Sequence, residues 1–173
     1  MRYWVGLGAN LGDRRAAIEA AIAWLEREAV VEAVSHPYET APRELLDQPA
    51  FLNAAARVQS PLGPREFLRE VKALERGLGR DPGGVRFGPR AIDCDLLLWE
   101  GGRWRDDALQ IPHPRLAERR FALLPLLDID PGLRLPDGRA LADVEAALDA
   151  EEQPAERLEQ PFSRAGARGG REI

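Results

Sequence analysis

Residues 87–99 have the sequence Phe87-Gly88-Pro89-Arg90-Ala91-Ile92-Asp93-Cys94-Asp95-Leu96-Leu97-Leu98-Trp99, in which a Gly-Pro break precedes an apolar run of strand length. Because side chains alternate between the two faces of a strand, Asp93 and Asp95 point to the same face. Cys94 and Leu96 point to the opposite face. The segment therefore predicts a strand that is apolar on one face and carries two neighbouring carboxylates on the other.

The paired carboxylates require compensation. Their Cα atoms lie about 6 to 7 Å apart in a strand, and two unit charges at that distance repel by about 2 to 3 kcal/mol at an effective dielectric of about 20. Water at a strand end, a proton on one carboxylate or a divalent cation would each offset the repulsion. An exposed edge strand is the simplest interpretation, but the run after Asp95 is too apolar for it. Arg90 and the Arg- and Gly-rich segment 76–86 favour a phosphate site with magnesium.

Composition narrows the class of protein. The 173 residues are 45% hydrophobic and 31% charged, which is typical of one globular domain. A net charge of −5 argues against a general binder of nucleic acid or anionic membranes. Cys94 is the only cysteine and Lys72 the only lysine, so we expect a reducing compartment and no P-loop. The sequence shows neither a signal-peptide pattern nor a membrane-spanning run, which predicts a cytoplasmic protein.

Hydrophobic periodicity predicts the order strand, helix, strand, strand, helix, strand. The predicted strands are residues 2–7, 30–38 and 51–59, followed by the strand that begins at Asp93. Asp13 is a candidate N-cap for the first helix, and the second begins near Pro64. This order predicts an α+β, ferredoxin-like βαββαβ core in which helices flank an antiparallel sheet.

Further elements extend this core. An extra strand is predicted at residues 103–105, an apolar segment at 122–127 and a last short helix at 141–148. The connection 39–50 is longer than a hairpin needs, so we expect it to have a function. We predict one domain over residues 1–150 and a loosely ordered C-terminal tail over residues 151–173, where apolar residues are few.

Four separated motifs carry a resemblance to a known family. The most specific is residues 87–97, and the others are Gly8-Ala9-Asn10-Leu11-Gly12, Asp47-Gln48-Pro49 with Phe51-Leu52-Asn53-Ala54-Ala55, and Pro112-His113-Pro114-Arg115 followed by Arg119 and Phe121. Over residues 2–149 the chain resembles the 6-hydroxymethyl-7,8-dihydropterin pyrophosphokinases of folate biosynthesis. Such enzymes transfer a pyrophosphoryl group from ATP to the hydroxymethyl oxygen of a reduced pterin and release AMP.

The resemblance implies a set of site residues. Asp93 and Asp95 would bind two Mg²⁺ ions that bridge the phosphates of ATP, the co-substrate, while Arg80 and Arg90 would close over the triphosphate from a mobile loop. Residues implied to contact ATP are Glu75, Phe87, Arg90, Leu96, His113 and Arg119. Residues implied to contact the pterin are Thr40, Phe51, Asn53 and Phe121. An amide suits the donors and acceptors of the heterocycle edge, and phenylalanines suit stacking on its ring.

The sequence also departs from the family pattern. Phe87 replaces a tryptophan of many members, Pro114 a tyrosine and Pro82 a basic residue of some members, and residues 41–44 replace a more apolar Pro-rich stretch. We therefore expect a differently shaped 41–44 loop and one phosphate-contacting hydroxyl fewer, whereas both expected metal ligands are present.

Two alternatives compete with this interpretation. A nucleotidyltransferase with two metal-binding carboxylates usually has a Gly-Ser turn before them and a third carboxylate on a later strand, and neither is evident. An RNA-binding or regulatory ferredoxin-like module needs exposed aromatic residues and a basic face, whereas the strand at Asp93 is acidic. We expect small-molecule partners, no nucleic acid or membrane partner, and a monomer or weak dimer.

Overall fold

A computed structural model of the chain describes residues 1–79, 83–84, 88 and 90–165. The helices are α1 (Arg14–Glu28), α2 (Pro64–Gly77), α3 (Arg120–Ile129) and α4 (Leu141–Ala146), and a 3₁₀ turn covers Leu116–Glu118. The strands are β1 (Arg2–Ala9), β2 (Val30–Val34), β3 (Tyr38–Thr40), β4 (Phe51–Gln59), β5 (Asp93–Trp99), β6 (Trp104–Arg105), β7 (Gln110–Ile111) and β8 (Ala155–Arg157). None of the described helices has the length and apolar character needed to cross a membrane.

Six of the described strands form one sheet. Its order is β5-β1-β4-β3-β8, β2 also pairs with β4, and the described strand pairs are antiparallel. The helices α1 and α2 pack on one face of the sheet, where the largest buried cluster lies. This arrangement confirms the predicted ferredoxin-like α+β fold.

A second layer covers the other face of the sheet. Residues of α3 and α4 pack there in a cluster that includes Leu97, Leu98, Leu123, Leu126 and Leu141. The predicted strand at residues 103–105 is present as β6, but it pairs with β7 in a separate two-stranded ribbon. Because helices cover part of both faces, the sheet does not present the fully open surface that an RNA-binding module of this fold needs.

The single strand predicted for residues 30–38 is divided into β2 and β3. Both pair with β4. Between them, the side-chain hydroxyl of Ser35, rather than a backbone carbonyl, accepts a hydrogen bond from the backbone N–H of Ala55 at 2.9 Å. The next residues are His36, whose N–H is bonded to Asp128 instead of the sheet, and Pro37, which has no N–H to donate. The interruption therefore follows from side-chain bonding and from proline.

Strand β5 keeps the predicted alternation only over its first half. Cys94 and Leu96 lie in the core under the helices, whereas Asp93 and Asp95 face the opposite side. The register against β1 then shifts, so that Val5 pairs with Leu96 and Trp4 with Leu98. The extra residue between these pairs, Leu97, forms a β-bulge, which changes the face of the residues from Leu98 onward.

The described part of the C-terminal segment, residues 151–165, packs against the rest of the chain. β8 pairs with β3, Phe162 is only 6% exposed, and the guanidinium of Arg164 donates to Glu26 at 2.9 Å. We expected a loosely ordered tail because few residues of this segment are apolar. Backbone pairing and one buried phenylalanine provide contacts that composition does not reveal, while the domain boundary at residue 150 stays a prediction.

Candidate active site

A cleft of about 850 Å³, open to solvent, lies on the sheet face that Asp93 and Asp95 share. Its floor is formed by β1, β4 and β5, and its walls by the loop 41–48 and the segment 113–122. The lining residues predicted from the sequence are Thr40, Phe51, Asn53, Arg90, Asp93, Asp95, His113, Arg119 and Phe121. Strands and loops that are distant in sequence therefore bring together most of the predicted site.

The two carboxylates occupy a partly buried position at the start of β5. Burial and the neighbouring Asp93 carboxylate raise the pKa of Asp95 to about 6, although Lys72 and Arg119 act in the opposite direction. Arg90 Nη1 donates to Asp93 Oδ2 at 2.7 Å. Because a raised carboxyl pKa means that the ionised form is disfavoured, a bound cation would stabilise the charge at Asp95.

Two residues predicted for ATP have side chains outside the cleft. Leu96 lies in the core beneath the helices, on the opposite face of β5. Glu75 is 2% exposed and accepts hydrogen bonds from the backbone N–H of Cys94 at 2.7 Å and from Lys72 at 2.9 Å. These contacts hold α2 against β5, so neither side chain is brought together with the carboxylates in the cleft.

Lys72 is a site neighbour that sequence reasoning missed. Its ammonium donates to the carbonyl of Cys94 at 2.9 Å and lies 3.9 Å from Asp95 Oδ1. Burial alone would lower the pKa of Lys72, but the carboxylates of Asp95 and Glu75 outweigh burial and raise it. A permanent positive charge therefore lies beside Asp95. Its sequence signal was the helical i, i+3 spacing to Glu75.

Arg119 and His113 form a wall that suits an anion. The Nε atom of Arg119 is buried and has no hydrogen-bond partner among the described residues. Burial and the charge of Arg119 lower the pKa of His113 to about 4, so the imidazole is neutral near pH 7. Its Nδ1 accepts the backbone N–H of Arg115 at 3.1 Å, which assigns the ring proton to Nε2. Neutral His113 is thus a hydrogen-bond donor rather than a cation.

The residues predicted for the pterin lie together at one end of the cleft. Asn53 Nδ2 donates to Thr40 Oγ1 at 2.7 Å, and both side chains are buried. Phe51 on β4 and Phe121 on α3 line the same space from different elements. This end combines an oriented amide, a hydroxyl and two aromatic rings, which suits a flat heterocycle with polar edges.

The loop 41–48 is held across the cleft by charged contacts. Glu44 forms an ion pair with Arg115 and lies 4.0 Å from Arg119, and Arg43 Nη1 donates to the carbonyl of Glu118 at 2.6 Å. Sequence reasoning predicted a function for the connection 39–50 and identified residues 41–44 as a departure from the family pattern. It did not predict that the charged residues Arg43 and Glu44 connect this loop to the opposite wall.

Asn10 connects three segments that surround the carboxylates. Its side chain accepts the backbone N–H of Arg90 at 2.7 Å and donates to Gln48 at 2.9 Å and to the carbonyl of Pro49 at 3.0 Å. The residue is 2% exposed. A polar residue directly after a buried strand was the signal that sequence reasoning did not use.

Two predicted residues cannot be placed. Arg80 and Phe87 lie outside the described residues, as does Pro82. Within the described ranges, no cluster of three or more His, Cys, Asp or Glu side chains could hold a metal ion. The two carboxylates would therefore offer an incomplete oxygen shell, and such a shell suits Mg²⁺, which keeps waters and takes phosphate oxygens as further ligands.

Comparison with known proteins places the chain in a family. Residues 4–131 match the family described as 7,8-dihydro-6-hydroxymethylpterin-pyrophosphokinase, HPPK. The chain belongs to this family. The HPPK match covers the cleft and all of its lining residues, whereas β8 and the rest of the C-terminal segment lie beyond it.

Curated relatives of the HPPK family differ in length. The chain is 40% identical over 154 residues to the 2-amino-4-hydroxy-6-hydroxymethyldihydropteridine pyrophosphokinase of Pseudomonas aeruginosa, which covers 87% of this chain and 93% of the relative. It is 41% identical over 128 residues to the Bacillus subtilis protein of the same name, covering 73% and 76% of the two chains. A mitochondrial folate synthesis bifunctional protein of Pisum sativum is 42% identical over 127 residues. The matched region covers 72% of this chain but only 24% of the pea protein.

Solved structures of HPPK-DHPS proteins share the fold. One, determined in complex with substrates, superimposes with a TM-score of 0.67 at 14% identity and covers 84% of this chain and 42% of that one. A Plasmodium falciparum HPPK-DHPS triple mutant with SDX-DHP gives a TM-score of 0.67 at 17% identity, covering 84% and 44%. At these identities the likeness concerns the fold alone.

Proposed function

We propose that this chain transfers the pyrophosphoryl group of ATP to the hydroxymethyl oxygen of 6-hydroxymethyl-7,8-dihydropterin and releases AMP. The observation that carries the proposal is the composition of the cleft. It joins a paired-carboxylate end with arginines to an end built from an amide, a hydroxyl and two phenylalanines, and it lies within the residues that match the HPPK family. The two ends match a magnesium nucleotide and a flat heterocycle.

At the nucleotide end, Asp93 and Asp95 would hold Mg²⁺, and we predict two ions. When bound, the metal supplies positive charge to the phosphate oxygens. Arg119 and His113 line the same cleft. The Nε of Arg119 has no hydrogen-bond partner in the described part of the chain, and His113 offers its Nε2–H. Arg90 lines the same cleft, where its guanidinium donates to Asp93. When ATP binds, the guanidinium can donate to phosphate oxygens instead, because its planar fork of donors suits them.

At the heterocycle end, the Asn53–Thr40 hydrogen bond fixes the orientation of the amide before substrate binds. An oriented amide can bond a donor and an acceptor side by side on the pterin edge. Phe51 and Phe121 supply aromatic surface from β4 and α3. Preorganised contacts of this kind favour catalysis by positioning, because little of the binding energy is lost in ordering side chains.

The reaction itself requires few protein groups. The substrate hydroxyl oxygen attacks the β-phosphorus of ATP, the bond from that phosphorus to the α–β bridging oxygen breaks, and AMP leaves with that oxygen while the hydroxyl proton passes to solvent. Phosphoryl transfer depends mainly on alignment and on neutralising phosphate charge. Arg90 and Arg119 are the residues we assign to charge neutralisation, together with the carboxylate-bound metal.

Identification of the products tests this proposal. With ATP, Mg²⁺ and the hydroxymethyl dihydropterin, we expect AMP and a pterin that carries both the β- and the γ-phosphorus, in equal amounts. ADP or free pyrophosphate as the main product would contradict the proposal. Arg90→Ala is expected to slow turnover by about 10², whereas the matched control Arg69→Ala, on the exposed side of α2, should remain near the wild-type rate.

The predicted cytoplasmic location and the monomeric or weakly dimeric state remain predictions. Sedimentation velocity at micromolar concentration measures the second of these directly. A stable higher oligomer would contradict it.

A further inference from the structure

The carboxamide of Gln153 contacts the peptide groups on both sides of Arg119. Its Oε1 accepts a hydrogen bond from the backbone N–H of Arg120 at 2.9 Å, and its Nε2 donates to the backbone carbonyl of Glu118 at 3.2 Å. The backbone carbonyl of Gln153 also accepts from Arg120 Nη1 at 3.1 Å. One amide side chain thus bridges the two peptide groups as an adjacent strand would.

Arg119 needs such support because of its place in the fold. It lies between the 3₁₀ turn and α3, with extended backbone angles of φ −119° and ψ 95°. The helix receives no capping hydrogen bond from the side chain at this position. The first N–H groups of a helix have no intrahelical partner, and that of Arg120 is the first of them. Gln153 provides the missing partner from a distant part of the chain.

The same segment also reaches the opposite wall of the cleft. Two residues after Gln153, Ala155 of β8 pairs with Thr40 of β3. The carbonyl of Glu118 accepts a second hydrogen bond from Arg43 of the loop 41–48 at 2.6 Å. Residues 153–155 therefore connect the two sides of the cleft, and they lie beyond the residues that match the HPPK family.

We propose that Gln153 is a positioning residue: its carboxamide fixes the backbone of Arg119 so that the partly buried guanidinium, which lines the cleft, points at the phosphates of the nucleotide. The inference rests on the phosphate-binding role proposed above for Arg119. Gln153 does not line the nucleotide cleft but a neighbouring cavity, which shares Arg43 and Phe121 with the cleft. The inference is that its effect on ATP passes through Arg119.

The variant Gln153→Met tests the inference because it keeps the length of the side chain and removes both amide hydrogen bonds. Its matched control is Gln160→Met, which makes the same change at an exposed position of the same segment. We expect Gln153→Met to weaken MgATP binding by about tenfold, the effect of losing two modest hydrogen bonds. The control should stay within about twofold of the wild type. Isothermal titration calorimetry measures both affinities, and thermal unfolding measures stability.

A double-mutant cycle separates positioning from a purely structural role. In an Arg119→Ala background, the inference predicts that Gln153→Met has no further effect on MgATP affinity. An equal loss in both backgrounds would overturn the inference, because it would show an effect that does not pass through Arg119. Wild-type MgATP affinity in Gln153→Met would also overturn it.

Two further results keep the test decisive. If Gln153→Met does not fold, Gln153→Glu replaces it. A carboxylate still accepts the N–H of Arg120 but cannot donate to the carbonyl of Glu118. An intermediate loss of MgATP affinity in this variant supports the inference, and no loss overturns it. If Arg119→Ala alone binds MgATP as the wild type does, the proposed role of Arg119 fails and this inference fails with it. A loss in Arg119→Ala without a loss in Gln153→Met overturns the inference alone.

Discussion

Gly8 provides a sharp test of the heterocycle end of the cleft. It pairs with Asn53 across β1 and β4, and a Cβ added at residue 8 would lie 2.9 Å from Asn53 Oδ1. Ordinary contact begins at 3.4 Å, so Gly8→Ala requires the amide to move by about 0.5 Å. The amide is also bonded to Thr40 at 2.7 Å, so the shift disturbs an oriented pair.

Because a misplacement of about 1 Å can cost about 10² in rate, we expect Gly8→Ala to raise KM for the pterin about tenfold. The affinity for MgATP should change by less than about threefold. Gly8 pairs with Asp93 across β1 and β5, but the atoms nearest to the added Cβ belong to Asn53 and Leu52. Steady-state kinetics with varied pterin at saturating MgATP gives KM, and calorimetry gives the MgATP affinity.

Gly6→Ala is the matched control on the same strand and the same face. Its Cβ would meet Leu97 Cδ1 at 3.0 Å, and the end of a leucine side chain can move aside. Neither glycine has a positive φ. Alanine therefore lowers the conformational entropy of the unfolded chain in both variants, which favours the folded state by about 0.4 to 1 kcal/mol. Wild-type pterin KM in Gly8→Ala, or an equal increase in both variants, would refute the reasoning.

Three further predictions address charge. Asp95→Asn is expected to lower turnover by about 10² or more without lowering Tm, because burial and the adjacent carboxylate already raise its pKa; wild-type turnover would contradict a metal role. Glu44→Gln should strengthen MgATP binding by about threefold, because it removes a carboxylate 4.0 Å from Arg119; weaker binding by calorimetry would contradict this. Hydrogen bonds, of which the one from the Ala108 N–H has the largest effect, lower the pKa of Asp106 to about 2. The Asp106 carboxylate therefore stabilises the folded state fully above its unfolded pKa of about 3.9, and this contribution is lost as pH falls toward 2. The Tm of the wild type should therefore fall more steeply than that of Asp106→Asn below about pH 4, and parallel curves would show that Asp106 contributes nothing.

The sequence predicts the carboxylate pair well because the relevant rule is local. Alternation along a strand puts Asp93 and Asp95 on one face whatever the rest of the fold does, and the structure confirms it. The order of helices and strands is also local information, since it follows from hydrophobic periodicity. It was sufficient to predict the ferredoxin-like core.

Irregularities within strands were not predictable by the same rule. The bulge at Leu97 changes the face of the residues from Leu98 onward, and the interruption at residues 35–37 divides a strand that looks continuous. Both depend on pairing with another strand: the bulge on the register against β1, the interruption on hydrogen bonds from Ser35 to β4. Periodicity contains no information about such partners.

Contacts between distant segments were the largest omission. Gln153, Glu44 and Lys72 lie on surfaces that composition describes only as polar, and their roles come from which backbone or charge each one meets. Glu75 illustrates the converse case. The family resemblance implied an ATP contact for it, and its carboxylate is buried and bonded to the backbone of β5.

The central claim is that Asp93 and Asp95 bind ATP through magnesium, and calorimetric titration with ATP tests it most directly. We expect the wild type to bind ATP at least about tenfold more tightly with Mg²⁺ than with a chelator, because the metal offsets the repulsion between carboxylates and phosphates. In the double variant Asp93→Asn/Asp95→Asn, the two affinities should become equal within about twofold. An unchanged magnesium dependence in that variant would contradict the account.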